Sequence, residues 1–108
     1  MIVTTADHVP GYKVEKVLGV VCGNTVMAKH LGKDFAAFLK NIVGGEIKSY
    51  TELLTEARNV AMERMIKEAE KLGADAVIGF RFSSSTITTG ASEILAYGTA
   101  VKLKKEEG

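Results

Sequence analysis

Residues Ser49–Gly73 read SYTELLTEARNVAMERMIKEAEKLG, and this stretch decides the fold. Its apolar residues recur in steps of three and four, which places them on one face of a helix. Ser49 and Glu52 have the spacing of a capping box, and Gly73 can adopt the left-handed conformation that ends a helix. We therefore predict a helix over Ser49–Leu72. Its buried face carries Tyr50, Leu53, Leu54, Ala57, Ala61, Met65, Ala69 and Leu72.

The composition around this helix is that of one ordinary globular domain. The chain has 108 residues, of which 46% are apolar and 25% are charged, as is usual for water-soluble proteins. A length of this order supports one hydrophobic core. We therefore predict a single domain over residues 1–108.

The charge balance limits the classes of partner that the protein can bind, and the cysteine content indicates its cellular compartment. The net charge is +1, from 14 basic and 13 acidic side chains, so we expect neither a nucleic acid nor a membrane as partner. No apolar run approaches the ~18 residues of a membrane span, and the start MIVTTADH has no secretory-signal pattern. The single cysteine, Cys22, excludes an internal disulfide and fits a reducing compartment. We expect a cytoplasmic protein.

Strands are predicted on both sides of the long helix, from alternating apolar residues and β-branched types. They cover Met1–Thr5, Tyr12–Cys22, Asp75–Phe82 and Glu93–Leu103. Ser83–Gly90 is a polar connection between the third and fourth strands. The third strand either ends before this connection or continues into it. A further helix is predicted from Leu31 or Asp34 to Val43. The predicted fold class is α+β with two layers, a small antiparallel sheet with the long helix packed on it.

The two faces of this sheet differ in side-chain size. We expect the alanine-lined helix to pack on the larger residues, Ile78, Phe80, Leu95 and Tyr97, because small helix residues allow close approach. The opposite face is small and apolar, with Gly19, Val21, Val77, Gly79, Ala96, Gly98 and Ala100. A sheet face in water is usually polar, and large apolar patches are rare on monomers. We therefore expect the extra helix and a second subunit to cover it.

An ordered set of short motifs runs along the chain. They are IVGGE at 42–46, YTELL at 50–54, EAR at 56–58, LGADAVIG at 72–79 and AYGTAV at 96–101. Together they resemble the YbjQ-like family of small prokaryotic proteins, which is catalogued as a family of candidate heavy-metal binders. The resemblance implies a β-α-β-β core with an extra helix and a ring-forming subunit, with a pentamer as the expected assembly. It supplies no catalytic or ligand residues.

The inventory of soft-metal ligands is small. Thiolate, imidazole and thioether groups bind such metals, and the chain offers Cys22, His8, His30 and four methionines without a CxxC or HxxxH motif. Cys22 and His30 form a candidate pair only if the residues between them fold back. The simpler interpretation is that Cys22 is a small buried hydrophobic residue. A ring could also pool one ligand from each subunit.

Other catalytic and binding motifs are weaker. Gly32-Lys33-Asp34 lacks the glycine and the hydroxyl residue of a P-loop. Nothing in the sequence fixes a histidine beside a nucleophile. Three hypotheses follow: a non-enzymatic homo-oligomeric binding or scaffold protein without cofactor, which we prefer; a heavy-metal-binding protein with a soft metal ion; and an enzyme whose site forms between subunits.

Overall fold

The structure, a computed structural model, describes residues 1–27, 47–89 and 91–107. Its elements are β1 (Ile2–Val3), β2 (Tyr12–Met27), α1 (Ile47–Lys71), β3 (Ala76–Thr88) and β4 (Ala91–Lys105). The strands form one sheet in the order β1-β3-β4-β2. β1 pairs with β3 in parallel, and the other two pairs are antiparallel. The fold is therefore α+β as predicted, but the sheet is mixed, and the prediction of a purely antiparallel sheet is wrong.

Helix α1 follows the predicted stripe and ends as predicted. Ala57, Ala61, Met65 and Ala69 are buried, and the last three have no exposed surface. Gly73 has a φ of 77°, which is the left-handed conformation that glycine adopts without steric cost. The amides of Gly73 and Ala74 donate to the carbonyls of Glu70 and Ala69 over 2.9 and 3.1 Å, the pattern of a Schellman motif. Near the two ends of the predicted apolar stripe, Leu53 and Leu72 are exposed.

The face of the sheet that α1 covers is the opposite of the predicted one. A Cβ atom added to Gly23 would lie 2.3 Å from the Met65 amide nitrogen and 2.4 Å from the Ala61 carbonyl oxygen. The hydroxyl of Thr25 donates to the Ala57 carbonyl over 3.1 Å. The helix thus packs on the small-residue face, which Val21, Val77, Ala96 and Ala100 share. The expectation that a second subunit covers this face is wrong, because the subunit's own helix lies there.

Two further corrections come from irregular pairing. The register between β3 and β4 shifts between Ile78 and Arg81, at Gly79, whose φ is 61°. This bulge turns Phe80 to the helix side together with Val77, so that Phe80 and Ile78 do not share a face as predicted. β2 also carries two register shifts, near Glu15 and Leu18. Single-residue insertions of this kind reverse the alternation beyond them.

The strands are long for a chain of this size. β2 has 16 residues, β3 has 13 and β4 has 15, against a mean of about 5–6. β3 continues through the hydroxyl-rich Ser83–Thr88, so the alternative in which the third strand continues into the connection is confirmed. The principal dimensions are 60 × 27 × 17 Å and the radius of gyration is 17.7 Å. A compact chain of this length has a radius of about 13 Å.

Candidate functional site

The face of the sheet turned away from α1 is the first candidate surface. We call it the open face. Paired strand residues lie on the same side of a sheet, and so Val17, Val20, Cys22, Tyr97 and Val101 share this side. Val9 from the turn before β2 packs on Val101 and Ala76 and covers the lower part. The upper part stays accessible: Val20 is 78% exposed and Val17 is 62% exposed.

The open-face patch is defined here as the exposed and half-buried apolar residues above Val9. Its members are Val17, Val20, Val26, Leu95 and Tyr97. Arg81, which pairs with Tyr97, lies beside the patch, and its guanidinium donates to the carbonyls of Thr5 and Phe80 over 2.9 and 2.7 Å. These bonds hold Arg81 against the N-terminal segment. Apart from the exposed Cys22 thiol opposite Tyr97, the patch thus offers an apolar surface.

Cys22 lies on β2, directly opposite Tyr97 on the open face. Its side chain is exposed, so the interpretation of Cys22 as a buried hydrophobic residue is wrong. Within the described ranges, no three His, Cys, Asp or Glu side chains lie close enough together to hold a metal ion. His30, the other candidate ligand, lies outside the described residues, as do the predicted helix from Leu31 or Asp34 to Val43 and the rejected P-loop residues.

His8 does not meet a nucleophile in the described part of the chain. Its ring nitrogen Nδ1 lies 2.9 Å from the carboxylate of the neighbouring Asp7, and both side chains are largely in water. The hydrogen bond and the charge of His8 lower the pKa of Asp7. Because this local pair is exposed to water, it gives no support for acid–base catalysis.

A groove runs along the outer edge of β2 beneath the C-terminal half of α1. It has a volume of about 790 Å³, with a floor of Val20–Asn24 and a wall of Arg64, Lys67, Glu68, Lys71 and Leu72. Arg64 donates to the Asn24 carbonyl over 2.7 Å, and Lys71 pairs with Glu68 over 3.1 Å. Three of its four charged side chains, Arg64, Glu68 and Lys71, are therefore already engaged by the same chain. Among the described strands, β2 lies at the edge of the sheet, and the groove leaves part of its backbone within reach of a partner.

Sequence reasoning missed the charged side chains of this groove. Arg64, Lys67 and Lys71 lie on the polar side of α1, where charged residues are ordinary. Their relation to the β2 edge depends on which sheet face the helix covers. No short-range pattern in the sequence indicates which face of the sheet the helix covers.

Comparison with known proteins covers nearly the whole chain. A family model named YbjQ and described as "putative heavy-metal-binding" matches residues 1–104. A UPF0145 protein of Thermotoga petrophila is 76% identical over 97% of this chain and 99% of its own length. A UPF0145 protein of Colwellia psychrerythraea is 56% identical over 97% of this chain and 100% of its own length.

A solved structure supports the fold. It is the crystal structure of a protein of unknown function from Pediococcus pentosaceus, assigned to the DUF74 family. The TM-score is 0.63, with coverage of 96% of this chain and 98% of that chain, at 18% sequence identity. Similarity at this level of identity concerns the architecture alone.

None of the helical residues in the described ranges forms a stretch with the length and hydropathy of a membrane span.

Metal uptake can be predicted from the surroundings of Cys22. Within the described residues, no cluster of His, Cys, Asp or Glu ligands surrounds the exposed Cys22 thiol, and soft metals bind to sets of such ligands. We therefore expect Cys22→Ser to leave the copper and zinc content after desalting unchanged. Mass spectrometry of the native protein and elemental analysis measure this content. Stoichiometric uptake by the unmodified chain that disappears in the variant would instead restore the heavy-metal hypothesis.

Proposed function

The chain belongs to the YbjQ family, also called UPF0145, and from that starting point we propose that it is a non-enzymatic, homo-oligomeric binding or scaffold protein. The open-face patch is the observation that carries this proposal. Its side chains are apolar and accessible, whereas the exposed face of an antiparallel sheet usually alternates to polar residues. A second copy of the same chain is the occupant that we propose for it.

The amount of accessible surface supports a partner. The chain exposes 7302 Å², whereas a compact monomer of 11.6 kDa is expected to expose about 5,800 Å². The excess reflects the elongated shape of the chain, 60 × 27 × 17 Å, which leaves room for contacts of the standard size of about 800 Å² on each partner. Two contacts per subunit are what a ring requires, since each subunit then meets two neighbours.

The two edges of the sheet favour a head-to-tail contact. No described strand lies on the outer side of β2, and β1 borders β3 only at Ala76 and Val77. The unlike edges of β2 and of β3 beyond Phe80 are therefore both open in the described residues. Free strand edges promote pairing with other chains, and contacts between unlike edges repeat from subunit to subunit and can close into a ring. We propose such a ring, in which the neighbouring subunit also covers the open-face patch, with five subunits as the number that the family resemblance implies.

The non-enzymatic part of the proposal rests on the titratable groups. The hydrogen bond and the charge of His8 lower the pKa of Asp7, and both side chains lie largely in water. Catalytic groups usually have strongly perturbed pKa values inside a cleft. The Asp7–His8 pair is therefore not protected from water, and the apolar open-face patch supports a binding role.

Light scattering coupled to size-exclusion chromatography tests the assembly. The expected result is a molar mass that is a multiple of the 11.6 kDa of one chain, with five copies for the proposed ring. The mass should not change over a wide dilution series if the interface is that of a stable assembly. A mass of one chain at all concentrations would refute the proposal.

A further inference from the structure

Two pairs of lysines face each other across β2 and β4 at one end of the sheet. Lys13 is the pairing partner of Lys104, and Lys16 is the pairing partner of Lys102. We call these four residues the lysine ladder. Like charges directly opposite each other on neighbouring strands destabilise a sheet, and here this arrangement occurs in two rows.

All four lysines lie on the helix side of the sheet. The β4 residues Ala96 and Ala100 belong to the core under α1, and alternation along β4 puts Lys102 and Lys104 on the same side. Their partners Lys16 and Lys13 share that side. The helix ends beside Lys102, whose Cε lies 4.0 Å from the position that a Cβ atom on Gly73 would take, and Lys13, Lys16 and Lys104 are exposed. The lysine ladder therefore belongs to a part of the helix-side sheet face that α1 does not cover.

The charge of the ladder is only partly balanced. Lys102 lies 3.8 Å from the carboxylate of Asp75, whose other oxygen accepts a bond from the Leu103 amide over 2.9 Å. In the described part of the chain, Lys13, Lys16 and Lys104 have no ion pair or side-chain hydrogen bond. An adjacent cavity of about 400 Å³ is lined by Lys13, Lys104, Lys105, Glu106 and Glu107. The two glutamates flank the ladder on the tail of the chain.

We propose that the lysine ladder binds a soluble anion with several phosphate groups, such as an oligophosphate. Directly opposite side chains start about 5 Å apart, and the next row on the same face lies about 7 Å further along. Four ammonium groups at this spacing match several phosphates better than one carboxylate, and lysine is a common ligand for phosphate. A bound anion would also remove the repulsion within each pair.

This inference goes beyond the assembly proposed above, because all four lysines belong to one chain. It can fail while the ring exists, or hold while the ring does not. The near-neutral total charge of the chain conceals the cluster, since its lysines are separated in sequence and meet only through the pairing of β2 with β4.

Calorimetric titration with sodium tripolyphosphate at low ionic strength tests the ladder. The variant Lys13→Gln/Lys104→Gln removes one row, and the matched control Lys48→Gln/Arg58→Gln removes the same charge from the N-terminal half of α1. We expect the ladder variant to raise Kd by about tenfold or more, and the control to change it by less than about threefold. Added salt should raise Kd for the unmodified protein, because screening weakens exposed charge contacts.

Two results would overturn the proposal: no binding of tripolyphosphate by the unmodified protein, or equal weakening in both variants. Light scattering on the same samples separates these results from a change in assembly, and circular dichroism confirms that each variant is folded. A lipid headgroup is the other source of phosphate. We expect the protein to stay in the supernatant with phosphatidylglycerol-containing vesicles; cosedimentation without tripolyphosphate binding would contradict a soluble ligand.

Discussion

Replacing Gly23 with alanine is expected to lower the free energy of unfolding by about 3 kcal/mol. The added methyl group would lie 2.3 Å from a backbone nitrogen and 2.4 Å from a backbone oxygen of α1. Backbone atoms inside a helix cannot rotate away as the end of a side chain can, so the whole helix must move off the sheet. Met65, whose side chain is fully buried beneath the helix, would lose part of its packing.

Thermal and denaturant unfolding measure this effect, with Cys22→Ala as the matched control. Cys22 is the neighbour of Gly23 on β2, but it is exposed and lies on the open face. We expect the control to change the free energy of unfolding by less than about 1 kcal/mol. For Gly23→Ala, the midpoint should fall by roughly 4–8 °C per kcal/mol in a domain of this size. Equal stability of both variants would mean that α1 does not rest on Gly23.

Replacing Val20 with lysine is expected to dissociate the proposed assembly into single chains. Val20 is 78% exposed in the isolated subunit, so the substitution has little effect on the fold of one chain. Inside an interface, the same lysine would be buried without a partner, which costs about 4 kcal/mol or more. A loss of this size weakens association by roughly a thousandfold at each contact.

The molar mass from light scattering measures this dissociation, and circular dichroism shows whether the chains stay folded. Asn59→Lys is the matched control, because it adds the same charge to an exposed position on α1, away from the open-face patch. We expect the control to keep the mass of the unmodified protein. An unchanged mass for Val20→Lys would exclude the open-face patch as the interface.

The long helix and the strand pattern could be predicted because their signals are local. The alanine stripe, the terminal glycine Gly73 and the alternation along β4 each depend on neighbours in sequence. The sequence leaves the boundary of β3 open at Ser83, since hydroxyl residues fit both a strand and a loop. In the structure, the residues from Ser83 to Thr88 pair with β4 and therefore form a strand.

The choice of sheet face could not be predicted from alternation alone. Alternation separates two sets of side chains without saying which set the helix covers. The small set is covered because Ala61 and Met65 approach the sheet at Gly23 to a distance at which no side chain fits. The alanine stripe and the glycine on β2 are thus complementary surfaces, and glycine at a site of close backbone approach is the signal that could have identified the face.

The candidate sites depend on the same choice. With α1 on the small-residue face, the valine-rich side of β2 becomes the open face, and Cys22 lies in the accessible part of it. The bulges near Glu15 and Leu18 bring Val17 to the side of Val20, which regular alternation from Val14 would not. The predicted second subunit remains a proposal, but its contact surface is a different one from the surface that the sequence suggested.

The reactivity of the Cys22 thiol tests most directly whether a second copy covers the open face. Cys22 is the single cysteine of the chain, so a thiol-specific reagent reports on this position alone. If the open-face patch lies in an interface, the Cys22 thiol of the native protein should react at least about tenfold more slowly than that of the guanidinium-unfolded chain, because reaction requires access. The folded Val20→Lys variant should react fast again. Equal rates for native and unfolded protein would show that the open face is bare, and would contradict the proposed assembly.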